Sequence, residues 1–192
     1  AIYSLSPMQE GMLFHGLYNP ASEAHFGQSS FTLQGELHVP AFKQAWQDVM
    51  DQHSLLRTLF LWERREKPLQ IVRREVTVPF VELDWRVFDG PEQLEQMEAL
   101  LVADRKRGFD FSTAPLMRFT LIQLAQNSYR FLWSRHHIVV DGWSLPLLLD
   151  QVFAVYHARC NGETLHLTST RPYRDYIAWL QKQDLEEAEA YW

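Results

Sequence analysis

The spacing of apolar and polar residues divides this 192-residue chain into recognisable segments. Ser6-Pro7-Met8-Gln9 is a helix start, because Ser6 caps, Pro7 suits the first turn and Gln9 completes a capping box. That helix is expected to reach about Tyr18. It does so despite Gly11 and Gly16, each costing about 1 kcal/mol, which close backbone approach would offset. Residues 26–37 alternate as a strand. Pro40 opens a second helix with Phe42, Ala45, Trp46, Val49, Met50 and His53 on one face. Residues 57–63, 69–76 and 80–85 read as three strands. Asp89-Gly90-Pro91-Glu92 begins a third helix. Arg105-Lys106-Arg107-Gly108 closes it with cations in the last turn and then a capping glycine. Residues 116–124 and 129–140 form a hairpin about the turn at Asn127-Ser128. After a break at Asp141-Gly142, a helix runs from Ser144 through Leu147, Leu148, Val152, Phe153 and Tyr156 to Asn161-Gly162. Pro172 opens the last helix. The order α-β-α-β-β-β-α-β-β-α-α predicts helices packed on one antiparallel or mixed sheet.

Composition narrows the function classes. Hydrophobic residues at 46% and charged residues at 22% exclude disorder as the main state. The balance of 18 cations and 24 anions, 18 − 24 = −6, argues against nucleic acid or an anionic membrane surface as partner. No apolar run approaches the roughly 18 residues of a membrane span. One cysteine, Cys160, cannot form an internal disulfide and points to a reduced, cytoplasmic setting. It lies near a helix C-terminus, where the dipole disfavours a thiolate nucleophile. Aromatics at 14%, with seven Trp, point to a large interface or a lined cavity. The chain starts at Ala1 with no leader, and residues 184–192 read as helix without a stop signal. A piece of a longer polypeptide is therefore expected.

The stretch from Ser134 to Ser144, Ser-Arg-His-His-Ile-Val-Val-Asp-Gly-Trp-Ser, carries the chemistry. It admits three readings. A metal site is disfavoured, because adjacent strand residues His136 and His137 point to opposite faces and no further ligand cluster supports them. A structural reading has both imidazoles buried against backbone groups and Asp141 capping the next helix. A catalytic reading has one neutral imidazole facing a cavity, able to accept or position a proton near pH 7.

His136-His137-Ile138-Val139-Val140-Asp141-Gly142 resembles the HHxxxDG motif of non-ribosomal peptide synthetase condensation domains, shared with chloramphenicol acetyltransferase. Three further segments are similar to the family's first, second and fourth motifs. They are Leu5-Ser6-Pro7-Met8-Gln9-Glu10-Gly11-Met12-Leu13-Phe14-His15, His53-Ser54-Leu55-Leu56-Arg57-Thr58-Leu59-Phe60 and Pro172-Tyr173-Arg174-Asp175-Tyr176-Ile177-Ala178-Trp179-Leu180-Gln181. The resemblance spans nearly the whole chain.

It implies an α/β two-layer sandwich, a chloramphenicol acetyltransferase-like lobe whose mixed, largely antiparallel sheet is covered by helices. Residues 1–172 would form the N-terminal lobe of a two-lobed domain, and 173–192 a helix leading toward an absent C-terminal lobe. The implied reaction is attack by a carrier-bound aminoacyl amine on a carrier-bound donor thioester in a tunnel between the lobes. The implied partners are the C-terminal lobe, donor and acceptor peptidyl carrier proteins, and neighbouring adenylation or epimerization domains. No nucleic acid, membrane or metal is implied. Substrates would arrive on 4'-phosphopantetheine arms, with no cofactor bound by this chain and the lobe alone inactive. His137 is then the catalytic residue, as base or as positioner, and His136 is structural. Asp141 would pair with Arg57, so that Asp141→Ala damages folding. Gly142 would permit a tight bend and close substrate approach, and Trp143, Ser144 and Met12 would line the tunnel.

Within the superfamily, heterocyclization domains are excluded by the intact motif. The segments from Met8 to His15 and from Asp141 to Pro146 look like the subtype joining a D-configured donor to an L-configured acceptor. An epimerization lobe, a non-catalytic carrier-binding lobe and a coenzyme A-dependent acetyltransferase are the alternatives.

Overall fold

Gln9 and Glu92 each sit three residues after a capping side chain, and both capping boxes form. The Ser6 Oγ accepts from the Gln9 N–H while the Gln9 side chain accepts from the Ser6 N–H, and Asp89 and Glu92 do the same. In the computed structural model these boxes start two of five helices among the described residues, which are all but Ala21, Ser169 and 184–192. The helix expected over 184–192 lies outside them. The elements are β1 (Ile2–Ser4), α1 (Pro7–Tyr18), β2 (Phe26–Gln34), α2 (Val39–Gln52), β3 (Thr58–Leu61), β4 (Leu69–Val72), β5 (Phe80–Asp84), α3 (Gly90–Arg107), β6 (Met117–Ala125), β7 (Ser128–His136), α4 (Ser144–Cys160) and α5 (Tyr173–Leu180).

The strands form two sheets where the sequence pattern predicts one. The larger has the order β2-β7-β6-β5, with β7 antiparallel to both neighbours and β5 parallel to β6. It is mixed and largely antiparallel, as expected. The smaller has the order β1-β4-β3. Its first strand is only three residues long, too short to show a period, so the sequence pattern passes over it.

Alternation along β6 and β7 assigns each face its layer. Phe119, Phe131 and Trp133 face Trp46 of α2, with ring centroids 4.2, 5.7 and 4.9 Å from it. Phe42 adds an edge contact to Phe131 at 5.0 Å. These rings are almost fully buried, so much of the aromatic surplus is core. The opposite face carries Arg118 and Ser134, and there α3 docks through polar groups. Asp104 accepts from Arg118 Nε at 2.5 Å, from Gln28 Nε2 at 2.8 Å and from the Ser134 hydroxyl. No residue of α3 is itself fully buried, so this polar clamp takes the place of an apolar stripe. No helix among the described residues is long and apolar enough to cross a membrane.

The Arg118 and Asp104 side chains are only 11% and 12% exposed, so removing one partner strands a buried charge. Asp104→Ala is expected to cost about 3–5 kcal/mol in denaturant unfolding. A cost below about 1 kcal/mol would show that α3 is held by something else.

Candidate active site

The site is built by the way β7 stops. On the β6 side its last in-register bond runs from His136 N–H to the Leu116 carbonyl at 2.9 Å. The sequence continues apolar through Ile138, Val139 and Val140, which is why its pattern predicts a strand to residue 140. The chain turns instead, and the three side chains are buried at 3%, 4% and 2% exposure. Their burial anchors the turn from below. Its three N–H groups all find partners. His137 N–H donates to the His25 carbonyl at 2.8 Å, Ile138 N–H to His136 Nδ1 at 3.1 Å, and Val139 N–H to the His136 carbonyl at 3.2 Å.

This turn separates the two histidines. His136 is buried, its ring edge-on to Phe111 at 4.8 Å. Because its Nδ1 accepts, its proton sits on Nε2. Burial first, then His25 and His137, pulls its pKa down to about 4, so it is neutral at pH 7. His137, the first residue past the strand, is half-buried. Among the described residues no side chain hydrogen-bonds its ring.

Beyond the turn, Asp141 Oδ1 accepts from Ser144 N–H at 2.8 Å and Ser144 Oγ–H at 2.6 Å. These bonds from Ser144 hold its carboxyl below the usual range, against an opposing contribution from partial burial. Asp141 therefore satisfies the free N–H of Ser144, the first residue of α4. It does not pair with Arg57, which corrects that expectation. Arg57 closes the short turn Ser54–Arg57 and spends its guanidinium on carbonyls: Met50 at 3.2 Å, Asp51 at 3.1 Å, Arg74 at 2.9 Å and Arg73. It staples the end of α2 to the segment after β4. The carbonyls at the end of a helix are unpaired acceptors, and they compete successfully for the cation.

The tunnel-lining expectations divide. Trp143 is 88% exposed and offers free surface. Ser144 is committed to Asp141, and Met12 packs half-buried against the core. Gly142 shows no left-handed φ, and a Cβ there would meet nothing within 4 Å, so neither strain nor close approach requires glycine in this structure. Gly16 is where space is short, since a Cβ would lie 2.7 Å from the Phe111 ring and the buried ring would have to shift.

Sequence reasoning missed a cavity of about 670 Å³ beside His136. Its aromatic walls are Trp62, Phe26, Phe109 and Phe111, and Arg105, Lys106 and Arg107 stand along its edge. His25 lines it between His15 and His136, ring centroids 5.3 and 6.1 Å away, in a left-handed conformation with φ +72°. Burial and then the neighbouring His15 and His137 lower its pKa. His25 lies in a loop with no periodicity to mark it. Among the described residues no cluster of ligating side chains could hold a metal ion.

The model of the Condensation domain matches residues 1–192. The chain belongs to the condensation domain family. It is 40% identical over 191 residues to bacitracin synthase 1 of Bacillus licheniformis, covering 100% of this chain and 4% of that protein. It is 37% identical over 191 residues to tyrocidine synthase 2 of Brevibacillus parabrevis, covering 100% of this chain and 5% of the relative. The fold matches the starter condensation domain of rhizomide synthetase with TM-score 0.87 at 23% identity, over 100% of this chain and 49% of that one. The chain therefore spans a small fraction of its curated relatives and about half of a solved condensation domain. The chloramphenicol acetyltransferase-like fold class expected from the motifs holds.

The geometry of this condensation domain can be checked at Asp141 and at His136. Asp141→Ala removes the acceptor of the Ser144 N–H and hydroxyl and is expected to cost about 1 kcal/mol, and a double-mutant cycle with Arg57→Ala should show coupling below about 0.5 kcal/mol. Coupling above about 1.5 kcal/mol would restore the ion pair. The second check concerns pH. His136 stays neutral in the fold to about pH 4, whereas an unfolded imidazole takes its proton near pH 6.5. Stability contributed by keeping it neutral is present above pH 6.5 and lost as pH falls toward 4, by up to about 3 kcal/mol. His136→Asn should flatten that limb of the stability–pH curve, and an unchanged slope would contradict the assignment.

Proposed function

We propose that this chain is the N-terminal half of a condensation domain that forms peptide bonds in non-ribosomal peptide synthesis. Residues 1–172 are its first lobe and 173–192 lead toward a second. The observation that carries the reading is the turn after β7, which fixes the backbone of His137 while His136 beside it is buried and neutral. The match to half of a solved condensation domain supports the two-lobed arrangement.

The substrates are a donor aminoacyl or peptidyl thioester and an acceptor aminoacyl thioester, each on the phosphopantetheine arm of a peptidyl carrier protein. An α-ammonium has a pKa of about 8, so a proton must leave before the nitrogen attacks. That first proton goes to solvent, and His137 takes a second one from the nitrogen as the N–C bond forms. The tetrahedral intermediate collapses, the C–S bond breaks, and the donor arm leaves as a thiolate that receives the proton. The products are an amide on the acceptor arm and a free thiol on the donor arm. Asp141 shapes the loop through Ser144. The motif segments support the subtype that joins a D-configured donor to an L-configured acceptor. The adenylation and epimerization domains that load and invert the substrates are neighbours in the same cytoplasmic synthetase.

The test supplies loaded donor and acceptor carriers and reads the acceptor by intact mass spectrometry. Product is expected only when a second lobe is added in trans, and His137→Ala should lower the rate by about 10²–10⁴-fold. Product from this chain alone would contradict the two-lobed reading. No product in either case, with carrier loading and lobe association verified, would favour a carrier-binding lobe without catalysis.

A further inference from the structure

Gln9 is the third residue of α1, and its capping-box role explains only part of its side chain. It is 3% exposed, and Gln70 of β4 beside it is fully buried. Their two amides form a closed reciprocal pair. Gln70 Nε2 donates to Gln9 Oε1 at 3.0 Å, and Gln9 Nε2 donates to Gln70 Oε1 at 3.3 Å. The remaining donors point outward in opposite directions. Gln70 Nε2 donates to the Ser4 carbonyl of β1 at 2.8 Å. Gln9 Nε2 donates to the Ile138 carbonyl at 3.2 Å, 129 residues away in sequence. Gln9 Oε1 also accepts the Ser6 N–H at 3.0 Å.

Every N–H of both amides is thus used, and both oxygens accept. The direction of the chain is fixed. Reversing either amide would set N–H against N–H and carbonyl against carbonyl. A buried polar chain tolerates that poorly, because an unmade bond there costs about 1–3 kcal/mol. Four parts of the fold meet in it: β1, β4, the start of α1 and the loop after β7. The end that reaches the loop touches the residue next to His137. From the other side, the His25 carbonyl holds the His137 N–H at 2.8 Å. The short loop segment is therefore gripped on either side of the His137–Ile138 peptide by residues distant in sequence.

We propose that Gln9 is a positioning residue for His137, with Gln70 fixing the direction of its amide. The role rests on the reading of His137 given above. Gln9 touches no reacting atom. It sets where the turn places the imidazole, and a displacement of about 1 Å at a catalytic group is enough to cost up to about 10²-fold in rate.

Gln9→Glu removes the donors of the Gln9 amide. Glutamate at this helix position keeps an oxygen for the Ser6 N–H, so the capping box survives. It keeps the shape and loses the donors to Ile138 and to Gln70, of which Gln70→Met removes only the second. In the ionised form it also sets an oxygen against that carbonyl. Gln70→Met is the second variant, gentler because the Ile138 bond remains while its orienting partner is lost. The first readout is amide NMR of this chain, which needs no catalysis. Signals of 137–139 should shift in Gln9→Glu, and less in Gln70→Met, while those of 44–49 in α2 stay in place. The second readout is the condensation rate with the second lobe present. Gln9→Glu should lower kcat about 10-fold with KM for both carriers within about 2-fold. Unmoved 137–139 signals, a kcat within about 2-fold of the parent, or a loss carried wholly by KM would each overturn the proposal. Failure of the His137 reading would look different: His137→Ala would keep the parent rate although Gln9→Glu still moved the loop.

Discussion

The position at which β7 ends governs the rest of the site. Strand geometry would continue the alternation, placing His136 and His137 on opposite faces with equal standing. Instead β7 ends at His136, the His137 N–H makes one further in-register bond to the His25 carbonyl, and the next two peptide groups find partners in the His136 ring and the His136 backbone. One imidazole becomes an acceptor within the fold, and its neighbour stands on the first residue past the strand. The difference between two identical side chains thus arises from a few backbone bonds and the burial of Ile138, Val139 and Val140.

The surroundings supply rigidity to that turn in two physically different ways. Beneath the sheet, the rings of Trp46, Phe119, Phe131 and Trp133 fill the layer between sheet and helices, where shape decides the packing. Elsewhere, α3 and the start of α1 are held by buried polar groups whose directions are fixed, through Asp104 in one case and the Gln9–Gln70 pair in the other. Apolar packing sets distances between elements. The polar chains set orientation, and orientation is what a proton-transfer group requires.

Much of this is legible in the residues. The helical spacing of Phe42, Ala45, Trp46, Val49 and Met50 marks the buried face of α2, and both capping boxes are readable from four residues each. The hairpin partners β6 and β7 follow from their alternation. Other features are not legible, each for a definite reason. The apolar run Ile138-Val139-Val140 looks like strand because a buried turn and a buried strand share the same composition. The smaller sheet depends on a three-residue strand with no measurable period. The Arg57–Asp141 pairing is an expectation of the family resemblance, whereas the guanidinium is drawn to the unpaired carbonyls at the end of α2. Gln70 and His25 act through long-range contacts that no local pattern records.

The most direct test of the account is a structure of a complete two-lobed domain carrying these residues, with a stalled amide analogue linking donor and acceptor arms. The account predicts the analogue's nitrogen within hydrogen-bond reach of the His137 ring, with His136 still accepting from the Ile138 N–H. An analogue bound against His136, or a His137 ring turned away from the reacting atoms, would contradict it.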